Sequence, residues 1–117
     1  MHSTLGAQGE ETACSYLKRQ GYQILERNYR TRRGELDIIA AQGEWLVFVE
    51  VKTRKSLRCG LGAEAVTWRK RQHLLAAALS YLATHSSRKC RFDVIEITVS
   101  ATQTPEIRHI QDAFGRN

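Results

Sequence analysis

Apolar and polar residues follow two periods along this chain, and the changes between them mark its elements. Ser3 and Thr4 are good helix caps ahead of a segment from Leu5 to Gln20, in which Ala13, Cys14 and Leu17 recur at helical spacing. Gly21 ends that helix. Tyr22, Ile24 and Leu25 then give a strand-like stretch up to Asn28, overlapping a cluster of arginines at Arg27, Arg30, Arg32 and Arg33. Gly34 opens a second strand over 35–41, and Gln42-Gly43-Glu44 is a turn signal. The run from Trp45 to Lys52 is almost wholly apolar, β-branched and aromatic, which predicts a central strand buried on both faces.

Residues 53–62 carry Arg54, Lys55, Arg58, Gly60 and Gly62 and are expected to form an exposed basic loop. From Ala63 to Thr84 the spacing is helical. Leu74, Leu75, Ala78, Leu79 and Leu82 make an apolar stripe there, and Arg69, Lys70 and Arg71 crowd the first half. A strand over 91–99 sets Asp93, Ile95 and Ile97 against Phe92, Val94 and Glu96. After Pro105, residues 106–110 suggest an extra edge strand. The order α-β-β-β-α-β predicts an α/β fold, a mixed sheet flanked by helices.

Composition narrows the class. A chain of 117 residues with 42% hydrophobic and 26% charged residues can bury one modest core, and wholesale disorder is not expected. It has a single proline, no Gly/Ser-rich linker and no internal repeat, so residues 1–117 read as one domain. Eighteen Lys+Arg against 12 Asp+Glu give a formal charge of +6, which favours a polyanionic partner, nucleic acid before an anionic membrane surface. Cys14, Cys59 and Cys90 lie far apart with no zinc-ligand spacing, and the four histidines are equally scattered. No stretch approaches membrane-spanning length and no basic-then-apolar leader opens the chain, so a cytoplasmic protein with no membrane partner is expected.

The chemistry concentrates on two strands. Side chains at i and i+2 share a strand face, so Glu35 sits beside Asp37 and Glu50 beside Lys52. With Gly43-Glu44 as a two-residue turn, Gln42 pairs with Trp45, and Asp37 falls opposite Glu50. With Gln42-Gly43 as the turn, the two acids become diagonal neighbours on one face, and only an odd loop length separates them. Facing carboxylates on a buried hairpin repel, and a hard cation such as Mg²⁺, held by one or two carboxylates with water and phosphate oxygens, resolves that repulsion. Lys52 is then placed to orient a water or to stabilise phosphate charge, as metal-assisted phosphodiester hydrolysis requires.

Glu10 shares the stripe of Ala13, Cys14 and Leu17 and is expected to face inward, whereas Glu11 faces water. It either complements the helix dipole or joins the site, and the residues alone favour neither. Taken alone, Glu50 and Lys52 read first as an ion pair, Asp37 as a strand-edge acid and Glu35 as a partner for a nearby arginine. Asp93 reads as structural. Arg54, Lys55, Arg58, Arg69, Lys70 and Arg71 are the candidate nucleic-acid contacts, each nearly as well explained as a solvated basic face. Lys70 leads them because it falls one turn before Leu74 on the inward side. Trp45, Trp68 and Tyr81 are expected in core packing rather than base stacking.

Asp37 followed by Glu50-Val51-Lys52 in such a chain resembles the PD-(D/E)XK nuclease superfamily. More closely, the chain resembles the YraN-type family of small, largely uncharacterised bacterial proteins. The likeness is carried by Gly6-Ala7-Gln8-Gly9-Glu10, Gly21-Tyr22, Asn28-Tyr29-Arg30, the 34–40 segment around Asp37, the 47–54 segment around Glu50, and Arg91-Phe92-Asp93-Val94. That family is in turn similar to archaeal Holliday junction resolvases. The resemblance implies a restriction-endonuclease-like fold, metal-site acids at Glu10, Asp37 and Glu50, and a catalytic Lys52. It also implies Mg²⁺ or Mn²⁺ dependence and a homodimer acting on branched DNA. Leu36 stands where the superfamily pattern has a proline before its aspartate, a departure the superfamily tolerates.

Three functions compete on this reading. The first is a metal-dependent DNA endonuclease, which the set of Glu10, Asp37, Glu50 and Lys52 favours. The second is a nucleic-acid-binding module that keeps the architecture without cutting. The third is a metal-independent RNA endonuclease, which needs a His/Lys/Tyr acid–base set for which His73 and Tyr81 are the only suggestion.

Overall fold

The structure is a computed structural model, and it describes residues 4–55, 67–85, 89–101 and 103–113. Helix α1 (Thr4–Arg19) leads into strands β1 (Gln23–Arg30), β2 (Glu35–Gln42) and β3 (Trp45–Lys55), then helix α2 (Trp68–Leu82) and strands β4 (Lys89–Val99) and β5 (Glu106–Ile110). The sheet runs β1-β2-β3-β4-β5, antiparallel throughout except for the parallel β3–β4 pair. A parallel pair needs a crossover connection, and α2 lies within it. The mixed α/β sheet flanked by helices is thus as expected, and it is compatible with a restriction-endonuclease-like fold.

Each face of the sheet carries one helix over its own core. Ala13, Cys14 and Leu17 of α1 pack on Ile38, Ala40, Val47, Val49, Ile95 and Ile97. On the opposite face, Leu74, Ala77, Ala78 and Tyr81 of α2 pack on Leu36, Ile39, Leu46 and Phe48. β3 is therefore the central strand buried from both sides, which is why its apolar run shows no alternation. Helix α1 reaches close to that strand at Gly9: a Cβ there would run into the Thr53 side chain.

Several boundaries differ from expectation. Thr4 lies within α1 rather than capping it, and Ser3 is outside the described residues. β1 continues two residues past Asn28 because Tyr29 and Arg30 still find partners in Leu36 and Glu35. β3 runs on to Lys55, so Arg54 and Lys55 are strand residues paired with Thr98 and Val99, not members of a loop. The parallel partner supplies that extension. Arg58, with the rest of the expected basic loop over 56–62, lies outside the described residues. Thr67 caps α2, its hydroxyl accepting from the Lys70 N–H at 3.1 Å, so the helix starts later than the apolar spacing suggests. Trp68 is 74% exposed rather than in the core, because it sits on the outward stripe of α2 with Leu75 and Leu79. Tyr81 is core and Trp45 is half-buried, as expected.

Candidate functional site

The site grows from the β2–β3 hairpin. Gln42 pairs with Trp45, and Gly43 has φ 59, a left-handed value that glycine adopts without strain. Pairing then runs without a slip to Ile38↔Val49, which makes Asp37 and Glu50 the next facing residues. In a ladder closed by a two-residue turn, every second residue of β3 from Trp45 onward points its N–H at β2. Val51 is the next in that series, and its N–H donates not to a backbone carbonyl but to Asp37 Oδ2, at 2.7 Å. The carboxylate ends the ladder and is fixed by it.

A break in strand alternation explains how Asp37 gets there. Arg27 pairs with Glu11 of α1 at 3.1 Å, and Ile38 packs in the α1 core. Tyr29, two residues after Arg27, and its partner Leu36, two residues before Ile38, pack instead beneath α2. Residues two apart on a regular strand share a face, so both strands twist over at the facing positions Asn28 and Asp37. Asn28 takes φ 54 to do it, a conformation asparagine tolerates better than other side chains with a Cβ.

Glu50 is 7% exposed, on the α2 face. Its Oε2 lies 3.1 Å from Lys70 Nζ. Burial, then the Glu50 charge, pushes the Asp37 carboxyl up to about 7, against the opposing pull of the Val51 N–H and of Lys70. Glu10 reaches the same region from α1. Burial raises its carboxyl, the Asp37 charge adds to that, and Asn28 and Arg27 work the other way. Lys52 is one pleat along from Glu50 and partly buried, with no carboxylate at ion-pair distance among the described residues.

The structure thus brings Asp37, Glu50 and Lys70 into one cluster, with Glu10 coupled by charge and Lys52 on the neighbouring pleat. No group of three or more His, Cys, Asp or Glu side chains close enough to ligate one ion occurs among the described residues. An all-oxygen pair, in which burial and then the neighbouring charge raise one pKa, fits a hard divalent cation and not a soft thiolate-seeking one. Asp37 and Glu50 would hold it.

Lys70, expected among the nucleic-acid contacts, ion-pairs with Glu50, and Arg69 and Arg71 are exposed on the first turns of α2. Glu35 is exposed and pairs with Arg30 at 3.4 Å. Asp93 is fully buried and structural as expected, binding Arg91 at 2.9 Å, His109 Nε2 at 2.7 Å and the Asp112 N–H at 3.0 Å. His73 faces solvent while Tyr81 is in the core, eight residues along the helix, so these two do not form an acid–base pair. The role of Asn28 is missed by reasoning from sequence. An asparagine inside a strand pattern was the available signal, since asparagine is depleted in strands.

Comparison with known proteins gives a family but no activity. The family model described as uncharacterised protein family UPF0102, the YraN family, matches residues 9–97. A UPF0102 protein of Rhodococcus opacus is 47% identical over 94% of this chain and 95% of its own length. Another, from Chlorobium phaeobacteroides, is 48% identical over 94% of this chain and 92% of its own. A third, from Geobacter metallireducens, is 49% identical over 97% and 93%. No helix among the described residues is long and apolar enough to cross a membrane.

Proposed function

The chain belongs to the uncharacterised protein family UPF0102, and from that premise we propose that it is a metal-dependent endonuclease of the PD-(D/E)XK kind, hydrolysing phosphodiester bonds in DNA. The observation that carries this reading is the pair of half-buried Asp37 and buried Glu50, two carboxylates set face to face where a hairpin would be more stable without them. Mg²⁺ or Mn²⁺ bound there would polarise the phosphodiester and lower the pKa of water. The chain's own groups supply the rest. The Val51 N–H locks the Asp37 carboxylate in place, and Lys52, on the same strand face as Glu50, is placed to hydrogen-bond a phosphate oxygen or the attacking water. Glu10, with its raised pKa, is suited to take a proton from water at the edge of the pair. Arg54, Lys55, Arg69 and Arg71 would engage flanking phosphates. Branched DNA, cut by a homodimer with two such sites, is the substrate that the likeness to junction resolvases supports.

One observation favours a second reading. Lys70 already supplies Glu50 with a positive charge at 3.1 Å, so the pair has an internal counter-ion, as a non-catalytic nucleic-acid-binding module would need. Labelled linear, flap and four-way DNA, incubated with wild type and with an Asp37→Ala, Glu50→Ala double variant in Mg²⁺, Mn²⁺ or EDTA, separates the two. Cleavage requiring both the metal and the carboxylates supports the nuclease. Salt-sensitive binding by both proteins without cleavage supports the binding module.

A further inference from the structure

An open groove of about 660 Å³ lies between the loop joining β1 to β2 and the outer flank of α2, away from the carboxylate pair. Its volume is in the range of small-ligand sites. Arg30, Arg32 and Arg33 line one side, and Leu79, 57% exposed, forms an apolar floor. Tyr29 and Ser80, their hydroxyls 3.4 Å apart, close one end. Among the described residues, no acidic side chain lines it. Arg30 shares its charge with Glu35, but neither Arg32 nor Arg33 has a carboxylate at ion-pair distance among the described residues.

The loop that presents these arginines is held in shape. Thr31 Oγ1 accepts from the N–H of Arg33 at 3.2 Å and of Gly34 at 3.0 Å, and the Thr31 N–H donates to the Gly34 carbonyl at 2.8 Å. Gly34 in turn lies against the backbone of His73, so closely that a Cβ would collide with the His73 carbonyl. That contact ties the arginine loop to α2 one turn after Lys70, the residue that touches Glu50. From Lys70 to Leu79 the helix rises about 13 Å, roughly four 3.4 Å nucleotide steps.

We infer that this groove is a second binding site, for the phosphodiester backbone of a nucleic-acid strand a few nucleotides from the carboxylate pair. Guanidinium groups match phosphate oxygens two at a time, and an exposed leucine beside them accepts the face of a sugar or base. An unpaired double cation on a fixed loop suits a polyanion whose charges repeat at short intervals. The site deepens the nuclease reading by adding a strand-positioning surface, though binding there does not itself require cleavage.

Fluorescence anisotropy in EDTA tests it, with single-stranded DNA, duplex DNA and RNA of one sequence, between about 50 and 200 mM salt. An Arg32→Gln, Arg33→Gln variant is compared with wild type, with Arg32→Lys, Arg33→Lys, and with a Lys18→Gln, Arg19→Gln control that removes equal charge from the end of α1. Melting curves confirm folding, which the exposure of both arginines favours. The expected result is at least a roughly tenfold loss of affinity at about 50 mM salt, and a salt dependence shallower by roughly 1.5 in log–log slope. The lysine variant should keep the slope, and the α1 control should keep it too. The polymer bound more tightly identifies the strand. A glutamine variant indistinguishable from the control overturns the inference. Cleavage by wild type with that outcome would leave the nuclease standing without the groove. Arginine-dependent binding without any cleavage in Mg²⁺ would leave the groove standing without the nuclease.

Discussion

Replacing Asp37 by asparagine should stabilise the metal-free protein while destroying its site. The folded-state pKa of Asp37 is raised from an ordinary 3.8 to about 7, chiefly by burial and then by Glu50. The folded protein therefore holds a proton that the unfolded chain has given up between those values, and stability falls as pH rises through that window. At about 1.36 kcal/mol per pH unit the full span is ~4 kcal/mol, and the partial solvent access of Asp37 lowers this to ~2–4 kcal/mol. The asparagine side chain would keep an acceptor for the Val51 N–H, so that hydrogen bond survives while the repulsion disappears. In urea titrations with EDTA at low salt, Asp37→Asn should match wild type at about pH 4 and exceed it by ~2–4 kcal/mol at about pH 8. In thermal melts the gain at the higher pH should be roughly 8–16 °C. A variant less stable than wild type at that pH, or a gap that does not change with pH, would refute the reasoning.

Other perturbations follow from neighbouring contacts. Gly9→Ala places a Cβ into Thr53 and should push α1 off β3, costing ~1–3 kcal/mol in a denaturant melt and weakening any activity that depends on Glu10. Lys70→Met removes the internal counter-ion of Glu50, so the metal-free protein should lose about 1 kcal/mol near pH 8 while Mn²⁺ affinity rises, both readable by calorimetry. Asp93→Asn should cost ~3–5 kcal/mol, because it leaves Arg91 without its carboxylate in a buried network. Although burial alone would raise its pKa, His109, Arg91 and the Asp112 N–H hold Asp93 below 3.8. Its stabilising contribution is therefore present above pH 3.8 and lost as pH falls through the folded value. Acid titration of wild type should show that loss, and Asp93→Asn should lack it.

Much of the site could be read before any coordinates. The Gly43-Glu44 turn sets hairpin register, and register alone decides that Asp37 meets Glu50. Glu10 faces the site because helical spacing ties it to Ala13, Cys14 and Leu17. What could not be read depends on partners distant in sequence. Arg54 and Lys55 are strand residues only because β4 lies parallel to β3 and reaches as far as Val99. Lys70 meets Glu50 because α2 crosses that face of the sheet, and inward spacing could give its direction but not its target. The left-handed turn at Asn28 belongs to two strands at once and follows from neither alone. Hydrophobicity assigns Trp68 to the core, yet the helix that carries it turns that stripe to solvent.

The central claim is that Asp37 and Glu50 together hold a divalent cation, and direct Mn²⁺ titration near pH 8 tests it most simply. Isothermal calorimetry should show one site per chain in wild type, and repeated at about pH 6, where the Asp37 carboxyl still holds its proton, it should show proton release on binding. Asp37→Asn and Glu50→Gln should each abolish that site while melting as folded proteins. Undiminished Mn²⁺ binding in both variants, or no stoichiometric site in wild type, would contradict the account.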